Sequence, residues 1–319
     1  MYMKRLLCAD LHIGKGTVKE DEVFDIADFI LETAIAKKCT HLDILGDLLE
    51  NRALLMFRIW PRVQSWFDKL IEAGITVNLM AGNHDFYGNE VRRPSNFRYV
   101  QLNPAVNIID TLFTDPDGVV WVPWLFKDEK IDTTGGKVVF AHLPINGFRM
   151  TKSMIADNGV DLAGTTDLPI YAGDFHLAQV SGNIRYLGSI MHHTWNDANT
   201  KKSIYVLDEK FQVEEVVPLN PLFTDLLKIN YSELSDLQIE GKARVTVTDV
   251  PKGEEELVIQ VATNKGATSV ECLSKSDEVD DEEQEVDGHM TVDEAIGEQV
   301  DLHDMTDELA EFHQEMKNG

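Results

Sequence analysis

Five short segments of the sequence carry side chains that can bind divalent cations. They read Asp10-x-His12, Gly46-Asp47, Gly82-Asn83-His84-Asp85, Ala141-His142 and Gly173-Asp174-x-His176. Carboxylate and amide oxygens and imidazole nitrogens bind hard and borderline ions, and the segments offer enough of them for two ions. Two divalent ions about 3.5 to 4 Å apart repel each other, so a shared carboxylate is needed between them. Asp47 ends a predicted strand and is the candidate for this bridge.

The spacing of the other residues suggests separate roles. Asp10 and His12 are one residue apart, which on an extended strand exit places both side chains on the same side. Asn83 supplies a neutral oxygen ligand, whereas His84 is suited to proton transfer or oxyanion contact, with Asp85 available to orient it. Taken singly, an Asp-x-His or Gly-Asp pair is ordinary turn chemistry, and a lone histidine is commonly a core residue. The rarer Gly-Asn-His-Asp segment and the order of all five favour a metal site.

Such a site requires strands that end at a common edge. From Lys4 to about Asp208, short β-branched runs alternate with helical patterns, which is typical of an α/β layered fold. The predicted helices cover residues 20–38 and 53–73, and the predicted strands cover 4–9, 42–45, 76–80, 106–109, 119–122, 138–141, 170–173, 184–187 and 203–207. Ligands of open α/β sheets bind outside the carboxyl ends of strands, where the five segments fall.

The chain divides into four predicted parts. They are a catalytic domain, a small α+β domain, an acidic linker and a C-terminal helical segment, over residues 1–217, 222–275, 277–290 and 291–319. The final helix carries an apolar stripe at helical spacing, made of Met305, Leu309, Phe312 and Met316. Such a stripe fits the core of its own domain or an external partner, and its isolation behind the acidic linker favours a partner.

Composition limits the classes of function. The formal net charge of −26 is unusual for a protein that handles nucleic acid, but residues 277–319 hold 17 Asp or Glu against the single Lys317. Three scattered cysteines are too few for a disulfide framework or a cysteine zinc site. The sequence shows neither a signal-peptide pattern nor an apolar span long enough to cross a membrane, so we expect a cytoplasmic protein without a membrane partner.

The ordered segments resemble the calcineurin-like metallophosphoesterase superfamily and, within it, the SbcD nucleases. Residues 45–52 (Leu-Gly-Asp-Leu-Leu-Glu-Asn-Arg) and 185–189 (Arg-Tyr-Leu-Gly-Ser) add to this resemblance, which extends over residues 4 to about 216. The resemblance implies a two-sheet α-β-β-α sandwich, then a small α+β domain that caps DNA and C-terminal helices that dock on an SbcC-type coiled-coil ATPase. It further implies a homodimer in the cytoplasm of a bacterium or of a phage-infected host.

The resemblance also implies a ligand set. One ion would be held by Asp10, His12, Asp47 and His176, and the other by Asp47, Asn83, His142 and residue 174. His84 would contact the scissile phosphate or the leaving group. The ions would be Mn²⁺, with Mg²⁺ as the alternative.

The last segment departs from the family pattern. Family members usually read Gly-His-x-His there, whereas this sequence has Gly173-Asp174-Phe175-His176. Aspartate is a competent ligand, and a third carboxylate facing the ions gives the hypothesis that Asp174 makes the site favour harder ions.

The implied activity is metal-dependent cleavage of DNA by an exonuclease or endonuclease in recombination, repair or replication. Its substrates would be double-stranded ends, with single-stranded or hairpin DNA as further possibilities. The candidate DNA-contacting residues are Arg52, Arg92, Arg93 and Arg98, with Phe86 and Tyr87 able to stack on a base. A solvated surface loop explains these residues equally well.

Two other functions fit parts of the pattern. The same metal chemistry would serve a calcineurin-like phosphodiesterase or phosphatase that acts on nucleotides or phosphoproteins. A catalytically silent scaffold could instead keep the fold to hold DNA or the ATPase. Cleavage of linear duplex DNA separates the nuclease from the first, and hydrolysis of an aryl phosphodiester separates both enzymes from the second.

Overall fold

The computed structural model describes residues 3–15, 20–50, 59–87, 92–100, 102–162 and 166–274. All of these belong to the first of two units into which the chain divides, residues 1–276. Arg52 and the predicted C-terminal helices with their Met305 to Met316 stripe lie outside the described residues. No helix within the described ranges has both the length and the apolar character needed to cross a membrane.

Strands outnumber helices in the described ranges. The helices are α1 (Glu20–Ala36), α2 (Trp60–Glu72) and α3 (Glu255–Asn264). The strands are β1 (Arg5–Cys8), β2 (His41–Leu45), β3 (Thr76–Met80), β4 (Val106–Ile109), β5 (Phe113–Thr114), β6 (Val119–Val122), β7 (Val138–His142), β8 (Ile170–Gly173), β9 (Gln179–Ser181), β10 (Ile184–Tyr186), β11 (Ser203–Leu207), β12 (Val213–Pro218), β13 (Asp225–Asn230), β14 (Ala243–Thr248) and β15 (Ala267–Cys272).

The first sheet has the order β12-β11-β1-β2-β3-β4. Its strands β1 to β4 are parallel, β11 runs antiparallel to β1, and β12 runs antiparallel to β11. Helices α1 and α2 pack on one face, where α1 buries Val23, Ile26 and Ile30 at the spacing of one helical face. The Trp66 indole of α2 donates a hydrogen bond of 2.8 Å to the Ala27 carbonyl of α1.

The second sheet has the order β5-β6-β7-β8-β10-β9, and its β6, β7, β8 and β10 are parallel. Apolar residues from both sheets, among them Leu7, Leu45, Trp121 and Phe140, form one buried cluster between them. The predicted α/β two-sheet fold is thus confirmed. On the outer face of the second sheet, residues 143–162 pack as irregular chain. The expected α-β-β-α order has helices in this layer.

A third, smaller sheet contains β13, β14 and β15, all parallel. It has its own apolar core, which includes Val245 and Val247 of β14 together with Val258 and Ala262 of α3. Helix α3 crosses from β14 to β15, as a parallel connection requires. This sheet lies inside the segment predicted as a small α+β domain, and the boundaries of that domain stay a prediction.

A buried ion pair lies within the first sheet, and its arginine also reaches the second sheet. Arg5 of β1 and Asp43 of β2 are almost fully buried, and Nη1 of Arg5 lies 2.9 Å from Oδ1 of Asp43. Nη2 of Arg5 reaches Asp117, just before β6, at 3.0 Å. Asn78 of β3 donates a further hydrogen bond of 2.7 Å to Oδ1 of Asp43. Arg5 therefore neutralises a carboxylate that burial would otherwise make unfavourable.

We expect Arg5→Met to lower the free energy of unfolding by about 3 to 5 kcal/mol, because it leaves the Asp43 carboxylate buried without a cation. Urea denaturation of the purified protein measures this change. The double variant Arg5→Met with Asp43→Asn should recover part of the loss, because no unpaired charge remains. A single variant as stable as the starting protein would contradict the assignment.

Candidate metal centre

The five segments expected to bind metal converge at the carboxyl ends of the parallel strands. Strands β1, β2 and β3 lead into Asp10, Asp47 and Asn83, while β7 ends at His142 and β8 leads into Asp174. Parallel strands place their carboxyl ends at one edge of a sheet, and the two sheets here bring these edges together. The structure thus brings the predicted residues together, while their roles as ligands stay proposals.

Two glycines allow the loops to approach this closely. A Cβ on Gly46 would lie 2.1 Å from Nδ1 of His142, and a Cβ on Gly82 would lie 2.1 Å from Oδ1 of Asp47. Both distances are far inside van der Waals contact, so any larger residue would displace a candidate ligand. Gly46 also has a φ of +90°, a conformation that glycine adopts without steric cost.

Four candidate ligands have a backbone conformation that residues other than glycine seldom adopt. Their φ angles are 55° at Asp10, 47° at His12, 52° at Asp47 and 96° at Asp174. Each such residue costs on the order of 1 to 3 kcal/mol and persists only where its surroundings hold it. Backbone hydrogen bonds do so here: the Asp10 amide donates to the Gly46 carbonyl at 3.1 Å, and the His12 amide donates to the Asp47 carbonyl at 3.0 Å.

The predicted ligand atoms form two overlapping clusters, and His12 forms a third with Glu50 and His84. Asp10, His12 and His176 make the first, and Asp10, Asp47 and His142 make the second, with the ligand atoms of each within 4.8 Å of one another. Nε2 of His12 lies 3.1 Å from Nε2 of His176. Oδ2 of Asp47 lies 3.7 Å from Nε2 of His12 and 3.3 Å from Nε2 of His142. Asp47 therefore faces both clusters, as a bridging carboxylate must.

Asn83 and Asp174 surround the second cluster. Nε2 of His142 lies 3.2 Å from Oδ1 of Asn83 and 3.9 Å from Oδ1 of Asp174. Nδ1 of His142 lies 2.8 Å from the Leu45 carbonyl oxygen. A carbonyl can only accept, so Nδ1 donates its proton there and Nε2 is the nitrogen that faces the cluster.

His84 and Asp85 have different surroundings from those expected. Nδ1 of His84 lies 2.6 Å from the Glu50 carbonyl, and the His84 amide donates to Oδ1 of Asp47 at 3.0 Å. The Asp85 carboxylate instead accepts from the backbone amides of Asp47, Gly82 and Leu49, at 2.8, 2.9 and 3.2 Å. It is the Glu50 carbonyl that orients the His84 ring. Asp85 fixes the two loops that carry Asp47 and Asn83 against each other.

Glu50 belongs to the site, although the sequence analysis did not identify it as a site residue. Its Oε2 lies 2.7 Å from Nδ1 of His12, and its Oε1 lies 3.0 Å from Nζ of Lys15. Burial lowers the pKa of His12, but the Glu50 and Asp47 carboxylates raise that pKa more, to about 9. Burial raises the pKa of Glu50, and the contact with His12 lowers it more, to about 2. A carboxylate behind a ligand histidine holds the ring in place.

The other buried groups shift each other's pKa in the same manner. Burial raises the pKa of Asp47, but the neighbouring His142 lowers that pKa far below its usual range. Burial lowers the pKa of His142, but Asp47 and Asp10 raise that pKa well above its usual range. The pKa of Asp85 is raised to about 7 by burial and by repulsion from Asp47. Protonated imidazoles therefore balance the carboxylates, and a bound cation would replace those protons.

One buried oxygen tests whether a cation fits. Oδ2 of Asp10 is buried and has no hydrogen-bond partner among the residues that the structure describes. An unpaired buried carboxylate oxygen is unfavourable in a protein interior. A divalent ion beside the carboxylates of Asp10 and Asp47 and the nitrogens of His12 and His176 would satisfy it. The donor set therefore fits divalent metal ions.

The arginines expected to contact DNA differ in their surroundings. Nη2 of Arg92 lies 2.6 Å from Oε2 of Glu129 and its guanidinium lies over the Phe126 ring, so this arginine serves the fold. Arg98 forms an ion pair of 3.0 Å with Asp110. Arg93 is exposed, and Arg52 lies outside the described residues.

Of the two aromatic residues expected to stack on a base, only one is accessible. Phe86 is completely buried against Phe126, at 5.1 Å between ring centroids, so it cannot stack on a base. Tyr87 is 57% exposed and keeps that possibility.

This chain is similar to known proteins. Residues 3–176 match the calcineurin-like phosphoesterase family. Exonuclease subunit 1 of Enterobacteria phage T4 is 26% identical over 316 residues, which cover 91% of each chain. A solved structure of the Pseudomonas putida nuclease MPE shares 18% identity at a TM-score of 0.35, over 67% of this chain and 87% of that chain. Since the family match spans more than half of the chain, this protein belongs to the calcineurin-like phosphoesterase family.

Proposed function

We propose that this protein is a metal-dependent DNA nuclease that hydrolyses phosphodiester bonds at DNA ends. The observation that carries the proposal is the pair of overlapping clusters in which Asp47 faces both His12 and His142. The family implies divalent metal ions, and the T4 relative, aligned over nine-tenths of both chains, is an exonuclease subunit. Mn²⁺ is the ion we expect, with Mg²⁺ as the alternative.

The residues divide into ligands and a proton carrier. Asp10, His12, Asp47 and His176 would hold one ion, and Asp47, Asn83, His142 and Asp174 the other. When bound, the ions would activate water and stabilise the negative charge that develops on the phosphate oxygens. Nδ1 of His84 is committed to the Glu50 carbonyl, which leaves Nε2 to exchange a proton with the phosphate or the departing oxygen. Asp174 adds a third carboxylate, which we propose favours harder ions.

The first test is cleavage of labelled linear duplex and hairpin DNA with Mn²⁺. We expect degradation that stops when the metal is chelated, and a loss of at least about 100-fold in Asp47→Asn, because this residue faces both ions. The double variant Arg5→Met with Asp43→Asn is the control and should retain activity, because it alters a buried carboxylate outside the site without leaving an unpaired charge. Hydrolysis of an aryl phosphodiester without any cleavage of DNA would favour the small-molecule phosphodiesterase. Absence of both activities would favour the scaffold.

His84→Ala should separate catalysis from metal binding. Removing a proton-transfer group costs about 100- to 10,000-fold in turnover, while the ligand set stays complete. Turnover on a short DNA substrate at saturating Mn²⁺ measures the first quantity, and calorimetric titration with Mn²⁺ measures the second. A large loss of Mn²⁺ affinity in this variant would instead make His84 a ligand.

We also propose that the protein works as a homodimer with an SbcC-type coiled-coil ATPase. The relative from phage T4 is named as a subunit, which supports work within a complex. The apolar stripe of Met305, Leu309, Phe312 and Met316 is our candidate for the ATPase-binding surface. The acidic residues around it would attract a basic surface on the partner.

Deleting residues 289–319 should abolish co-purification with the candidate ATPase, because the stripe is removed. Mn²⁺-dependent cleavage of a small phosphodiester should remain at the level of the full chain, because every candidate ligand is retained. Replacing the four stripe residues with Ser in the full chain is the matched control for the loss of length. Retained co-purification in both variants would rule this segment out.

A further inference from the structure

A buried network of polar residues lies behind the first metal cluster. Lys202 and Asp197 are each 1% exposed, and Nζ of Lys202 lies 2.9 Å from Oδ1 of Asp197. The same ammonium donates to the hydroxyl of Ser189 at 2.8 Å and to the backbone carbonyl of His176 at 2.9 Å. All three protons of the lysine are therefore used. One of them holds the backbone of a candidate metal ligand.

The second oxygen of Asp197 faces the ring of that ligand. Oδ2 accepts hydrogen bonds of 3.0 Å from the backbone amides of His193 and Thr194, and it lies 3.6 Å from Nδ1 of His176. A carboxylate on this side favours the tautomer in which Nδ1 carries the proton. The lone pair is then on Nε2, the atom that lies 3.1 Å from Nε2 of His12. A carboxylate that served only to neutralise Lys202 would not need this position.

The network also reaches Asp10, another candidate ligand of the first ion. Nε2 of His193 lies 3.0 Å from the Asp10 carbonyl, to which it donates. The His193 ring contacts the rings of His12 and His176 edge-on, at centroid distances of 4.9 and 5.3 Å. Asp197 holds the backbone of His193, so a single carboxylate supports both ends of the Asp10, His12 and His176 cluster.

The loop that carries these residues is anchored on its outer side by β13 of the small sheet. The Asn199 amide donates to the Leu226 carbonyl at 2.9 Å, and the Lys228 amide donates to Oδ1 of Asn199 at 3.0 Å. The Leu226 amide donates to Nδ1 of His192 at 2.9 Å. Contacts on both sides hold the loop, so Asp197 has a defined position before any metal binds.

We propose that Asp197, paired with Lys202, is a positioning residue for the first metal ion. It orients His176 directly and Asp10 through His193, and thereby presents both ligands in the conformation that the ion requires. This inference rests on the metal-dependent function proposed above and adds a determinant of its metal affinity. Neither Asp197 nor Lys202 is among the candidate ligands or catalytic groups.

The test compares two buried ion pairs in the same protein. Asp197→Asn alone would place an amide against the Lys202 ammonium, so we combine it with Lys202→Met, which leaves no unpaired charge. Arg5→Met with Asp43→Asn is the matched control, because it alters an equally buried pair. Asp43 lies within β2 against Arg5 and is not among the candidate ligands. Mn²⁺ alone is titrated by calorimetry into each metal-free protein, and thermal unfolding is recorded in parallel.

We expect two Mn²⁺ ions to bind the starting protein and the control with equal affinities. In the Asp197→Asn, Lys202→Met variant, one of the two should bind about 10- to 100-fold more weakly, the usual effect of losing a group behind a metal ligand. Wild-type affinity for both ions in this variant would overturn the inference, as would an equal loss of affinity in the control. A starting protein that binds two Mn²⁺ ions without cutting DNA would contradict the nuclease function, whereas the titration would still decide the role of Asp197.

Discussion

The site depends on close contact between the two large sheets at the carboxyl ends of their parallel strands. There the Gly46 loop of the first sheet lies against the His142 ring of the second. This contact places Asp47 between imidazoles that come from strands far apart in the sequence. It also concentrates negative charge in a region from which water is largely excluded, since Asp10, Asp47 and Asp85 are all buried. Burial of like charges is unfavourable unless cations or protons compensate them. The surrounding structure can be understood as the means by which this charge is held in place.

Strand β2 shows two ways of compensating a buried carboxylate. At its start, Asp43 is neutralised permanently by Arg5, and the pair serves stability. Beyond its end, Asp47 faces histidines whose protons a metal ion can replace. Asp85 is a third case, because three backbone amides stabilise its carboxylate without any fixed cation. Buried carboxylates of this site and its neighbourhood thus serve either the fold or the chemistry, depending on the groups that they contact.

The candidate ligands could be predicted from sequence because their residue types and strand-end positions are both visible in a linear pattern. The groups that support them could not. Glu50 lies within the 45–52 segment that carries part of the family resemblance, but its contact with His12 depends on the path of the loop after β2. Asp197 and Lys202 lie between predicted strands, and a buried lysine has no pattern that separates it from an exposed one. Their importance comes from their burial. That burial results from the packing of the third sheet and of β11 against the site, which a sequence pattern does not show.

The arginines show what a sequence pattern does not separate. Arg92 and Arg98 follow the third segment and were candidates for DNA contact, and in the structure they pair with Glu129 and Asp110, although the Arg98 side chain stays 47% exposed. An isolated arginine near a site has the same sequence signal whether its partner is a phosphate or a neighbouring carboxylate. With those two cations paired internally, less fixed positive charge remains for a DNA phosphate than the sequence indicated. Two divalent ions among the carboxylates of Asp10, Asp47 and Asp174 would leave a net charge of +1, which makes phosphate binding depend on metal occupancy.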